Sequence, residues 1–217
     1  MDEANSWAAD IIKDRPESLI VKVGKFSKDG QVGDSSIRFV VSFDEDLPNY
    51  VKLAYCVGDD LLCAQSHSSV EHARLFAAVD WACRSANIVF GHFSYVHTGG
   101  ATELEAYLRG PAGVPSSNTP KWRERLRGYS WLMVASRDIA EAAGGVDALL
   151  TSDAFEYASA LPNGSVLLQA TSEFQQYTGD RVRRVHQSLR EFLINGEFRR
   201  PAPVPGCPPL HMVIFES

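Results

Sequence analysis

Seven residues constrain this chain more than any others: Ile37 to Phe43, IRFVVSF. Ile37, Phe39, Val41 and Phe43 alternate with Ser36, Arg38, Val40 and Ser42. A period of two places one set on a buried face and the other on a mostly wet one, which predicts a β-strand. Leu19 to Phe26 reads as an earlier strand, and the turn at Gly30 to Ser35 makes the two an antiparallel hairpin. Tyr50 to Val57 reads as a third strand. Leu61 to Gln65 reads as a fourth, after the turn at Gly58-Asp59-Asp60. Residues 1–17 read as a short polar helix or arm, with Trp7, Ile11 and Ile12 available to dock.

The period then changes. Ser68 or Ser69 can cap a helix over about 70–86, with Glu71 in its first turn and Arg84 near its end. Its apolar stripe is His72, Phe76, Val79 and Cys83, flanked by Leu75 and Ala82, the pattern of a helix lying on a sheet. Asn87 to His97, NIVFGHFSYVH, is a rich β run. Gly91 in its middle points to a bulge or a close neighbouring backbone. Thr102 can cap a short helix through Leu108. Gly128 to Ala135 reads as a strand, and Ser136 caps a helix from Arg137 to Ala143 that Gly144-Gly145 stops. Val146 to Leu150 is a short helix or turn. Phe155–Ala160 and Ser165–Thr171 form a hairpin about Pro162-Asn163-Gly164. A last helix over about Asp180 to Ile194 gathers Val182, Val185, Leu189, Phe192 and Leu193 on one face. Pro201 to Pro209 is extended, and His211 to Phe215 fits an edge strand.

Hairpins outnumber strict strand–helix–strand alternation. The expected class is α+β, a largely antiparallel sheet with helices packed mainly on one face. We read residues 1–217 as a single domain. Two similar halves, 18–109 and 121–195, joined by the Pro/Gly-rich loop 110–120, are compatible with the pattern, although no residue-level repeat proves them.

Hydrophobic residues make up 45% of the 217, so a packed core is expected rather than disorder. The formal net charge of −6 disfavours phosphate backbones and suits a basic partner. No stretch approaches the roughly 20 apolar residues of a membrane span. Met1 to Lys13 lacks the basic and apolar regions of a secretory signal, so a cytoplasmic location is expected. Cys56, Cys63, Cys83 and Cys207 have no ligand spacing and are expected to be reduced thiols.

The histidines, the usual site residues, pair poorly. His92 and His97 are five apart on one strand and so on opposite faces unless a bulge intervenes. His67 and His72 are about 140° apart on a helix. Structural or surface roles explain them better than metal ligation. Ser66-His67-Ser68 has no acid beside it, and a helix cap explains its serines better. Phosphate-binding glycine loops do not occur. No catalytic residue, cofactor or metal site is therefore expected.

Two basic patches stand out. One is Lys121, Arg123, Arg125 and Arg127. The other is Arg181, Arg183, Arg184 and Arg190, with Arg199 and Arg200 beyond. A solvated helix face accounts for them better than nucleic-acid binding in an acidic chain. Asp44-Glu45-Asp46 and Asp59-Asp60 follow strand-like runs and belong in exposed loops. Solubility is the plain reading. The functional one is an electrostatic dock for a cationic groove on another protein.

Two stretches carry a resemblance. One is Phe90-Gly91-His92-Phe93-Ser94. The other is Leu126-Arg127-Gly128-Tyr129-Ser130-Trp131, followed by a helix, Gly144-Gly145 and Ser152-Asp153-Ala154-Phe155. Over residues 85–195 this pattern of glycines and aromatics resembles bacterial immunity proteins that accompany polymorphic or type VI secreted toxins, a family of α+β domains. The resemblance implies a cytoplasmic protein that neutralises a cognate toxin by occlusion, with no catalytic residues to carry over. Asp44, Glu45, Asp46, Asp59 and Asp60 are then the expected partner-binding residues. The competing readings are a small motif-free hydrolase using His92 or His97 with a carboxylate, and a nucleic-acid or regulatory module using the Arg181–Arg190 helix.

Overall fold

The structure, a computed structural model, describes residues 18–23, 37–43, 51–57, 68–93, 102–107, 123–195 and 205. The chain divides into two compact units, Met1–Ser68 and Ser69–Ser217.

In the first unit, β1 (Ser18–Val23), β2 (Ile37–Phe43) and β3 (Val51–Val57) form an antiparallel meander in that order. The expected hairpin is there, and the third strand pairs with its far side. Leu19, Val41 and Leu53 stand opposite one another, as do Val21, Phe39 and Tyr55, and Val23, Ile37 and Val57. Directly opposed residues share a face. The alternation of β2 therefore extends across the sheet, with Lys22, Arg38 and Cys56 aligned on the other face. The readings at 1–17 and at Leu61 to Gln65 lie outside the described residues.

The second unit opens with α1 (Ser68–Ser85), which buries His72, Leu75 and Cys83. Next come β4 (Gly91–His92), α2 (Glu103–Tyr107), β5 (Leu132–Ala135), α3 (Arg137–Ala142) and α4 (Gly145–Thr151). β6 (Tyr157–Ala160), β7 (Val166–Gln169) and α5 (Gly179–Leu189) complete it. The four strands form an antiparallel sheet in the order β4-β5-β7-β6. Helices and an antiparallel sheet make the class α+β, as expected. β4 pairs with β5, so this sheet draws strands from both sides of the segment 110–120, which itself lies outside the described residues.

Every residue of β5 and β7 is buried, so this central pair is covered on both faces. The face of α5 that carries Val182, Val185 and Leu189 is fully buried. α1 crosses toward β6. Phe76 meets Tyr157 edge-on, with ring centroids 4.9 Å apart, and Arg84 donates to Ser159 Oγ at 3.1 Å.

Three elements are shorter than the sequence predicts. The run Asn87–His97 yields only Gly91–His92 as strand among its described residues, 87–93. Gly128–Ala135 contracts to Leu132–Ala135, and ahead of it Leu126 bridges to Leu193. Leu126 N–H donates to Phe192 O at 2.7 Å, and Ile194 N–H donates to Leu126 O at 2.9 Å. The last helix ends at Leu189, followed by a 3₁₀ turn at Arg190–Phe192.

The predicted turns hold. Ser136 Oγ accepts the Ile139 N–H at 3.4 Å and caps α3, while Gly144 leaves the helix at φ 90°. The β6–β7 turn closes through Gly164 at φ 85°, with Leu161 N–H donating to Ser165 O at 2.8 Å. Asn163 Nδ2 donates to Ile88 O at 2.7 Å, which ties this turn to the chain leaving α1.

Candidate functional site

The densest polar chemistry among the described residues lies where α2 meets the segment before β5. Thr102-Glu103-Leu104-Glu105 is a capping box. Thr102 Oγ1 accepts the Glu105 N–H at 3.2 Å, and Glu105 Oε2 accepts the Thr102 N–H at 2.7 Å. The same carboxylate takes Arg127 in a two-pronged ion pair, Nε to Oε1 and Nη2 to Oε2, the latter at 2.7 Å. The side chains are 4% and 1% exposed, so the pair is shielded from water. Such a fork is the geometry in which guanidinium and carboxylate bind best. Arg127 Cζ also lies 5.6 Å from the centroid of the Phe90 ring, within reach of a cation–π contact. Thr102 Oγ1 donates to Arg127 O at 2.9 Å. Gly128 lets the two segments close up: a Cβ there would meet Thr102 Oγ1 and lie 2.7 Å from Thr102 Cβ.

Beside it is an aromatic cluster. Trp131 is fully buried and donates its indole N–H to Thr171 O at 2.7 Å. His72 and Phe93 stand edge-on to it, at centroid distances of 5.4 and 5.3 Å. His72 Nε2 accepts the Phe174 N–H at 3.1 Å, which fastens α1 to the 3₁₀ turn at Phe174–Gln176. Tyr129 and His186 lie 5.4 Å apart at their ring centroids. Tyr177 is buried, and burial, with lesser contributions from Tyr129 and Glu103, holds its hydroxyl well above the usual range. Burial, assisted by Asp80 and opposed by Arg84, pushes the Cys83 thiol up to about 11.

Of the histidines, His72 has a structural role. His92 lies on β4 with its ring 5.3 Å from that of Phe90, while His67 and His97 lie outside the described residues. Among the described residues no group of three or more His, Cys, Asp or Glu could hold a metal ion. No helix there is long and apolar enough to cross a membrane. The expected partner-binding residues Asp44, Glu45, Asp46, Asp59 and Asp60 also lie outside the described residues.

The basic patches separate. Arg123 and Arg125 are exposed, but Arg127, which the sequence places on a solvated face, is buried by its pairing with Glu105. Nothing in the alternation of residues 121–127 distinguishes Arg127. The T-x-x-E spacing at Thr102 and Glu105 was the readable half of the pair. Along α5 the arginines meet carboxylates: Arg181 with Glu156, Arg183 with Asp180 and Arg184 with Asp153. On the outer side of α1, Val70 and Trp81 are exposed, Trp81 to 71%.

Chemically, these polar groups act as ties. The carboxylate of Glu105, the guanidinium of Arg127, the imidazole of His72 and the indole of Trp131 each join segments far apart in sequence. No family model, curated protein or solved structure matches the chain.

Proposed function

We propose that this chain is an immunity protein that binds a cognate protein toxin in the cytoplasm of the producing cell and neutralises it by occlusion. One observation carries the reading. The residues on which the family resemblance rests have framework roles within one compact unit. Phe90 backs Arg127, Gly128 admits Thr102, Trp131 ties to Thr171, Gly144 turns the chain at φ 90°, and Ala154 and Phe155 are buried. In this reading these positions hold the framework and recognition falls to the surface. In this proposal the acidic residues Asp44, Glu45, Asp46, Asp59 and Asp60 face a cationic cleft on the toxin, steering association and blocking access to it.

The test is co-expression with the product of the neighbouring gene, followed by co-purification and assay of that product's activity. The proposal expects a stable complex and an inhibited toxin. A neighbouring product that neither co-purifies nor loses activity overturns it. Within such a complex, Asp44→Lys with Glu45→Lys and Asp46→Lys should slow association at least tenfold at low salt, with the difference shrinking as salt is raised. Stopped-flow mixing measures both.

A further inference from the structure

We draw no further inference here: the strongest candidate, the exposed patch on the outer side of helix α1 around Val70 and Trp81, is an unpartnered apolar face, and nothing in the structure shows what covers it.

Discussion

Glu105 and Arg127 illustrate why a buried ion pair is costly to break and cheap to replace. Each charge has left water, and each is compensated by the other. Removing one partner strands the second, at a cost of about 3–5 kcal/mol. Glu105→Gln and Arg127→Met should each destabilise the fold by about that much in urea denaturation. Combining Glu105→Gln with Arg127→Met should cost far less than the sum of the two single changes, because no charge is left stranded. Additive losses would mean the two residues do not depend on each other. Cys83 gives a second residue-scale expectation. Its thiol is raised from 9.0 to about 11, so the folded state holds the proton more tightly than the unfolded chain. That contribution is complete below pH 9 and is lost as pH rises toward 11. Relative to Cys83→Ala, the native protein should lose stability across this window, as paired denaturation curves would reveal. The burial of Cys83 was legible from its place on the apolar stripe of the predicted helix, whereas that of the ion pair was not. Arg127 sits in an alternating basic run like its solvated neighbours, and only the fold places a carboxylate opposite it.

At the level of elements, the sequence was most legible where local chemistry decides. The caps at Thr102 and Ser136, the glycine stop at Gly144 and the turn at Gly164 all follow from short-range hydrogen bonding or positive φ. Ser136→Ala should lower stability by about 1 kcal/mol. Gly144→Ala should cost about 1–2 kcal/mol for its left-handed backbone, and the new methyl would also crowd Ala148 Cβ at 2.8 Å. Thermal melts of the two variants check both values. Strand lengths were less legible. Residues 87–97 and 128–135 have strand composition throughout, but pairing needs a partner at every position. Ahead of one of them, Leu126 bridges to Leu193 instead. The continuous apolar runs of β5 and β7 carry no alternation because both their faces are covered.

For the whole molecule, the α+β class was readable because the period-two and helical segments are well separated along the chain. The grouping of strands was less so. β4 and β5 lie on opposite sides of a proline-rich stretch that looks like a boundary, yet they share one sheet. Long-range pairing of this kind leaves no local mark. The candidate site was the least legible part. Glu105 and Arg127 meet only through tertiary packing across 22 residues of sequence, and no period marks such a pair.

The placing of two tryptophans has a spectroscopic consequence. Trp131 lies in a dry aromatic pocket against His72, whereas Trp81 stands 71% exposed on a helix surface. Indole emission responds to polarity and to collisional quenchers, so the two rings report on different events. Trp131 follows the loss of tertiary structure, and Trp81 follows anything that settles on the outer side of α1. In a background with Trp7 and Trp122 replaced by Phe, Trp81→Phe should remove the acrylamide-quenchable emission, while Trp131→Phe should remove a blue-shifted, protected component. With the other two of its four tryptophans replaced, the chain carries a pair of optical probes, one for folding and one for contact at that helix, with no added label.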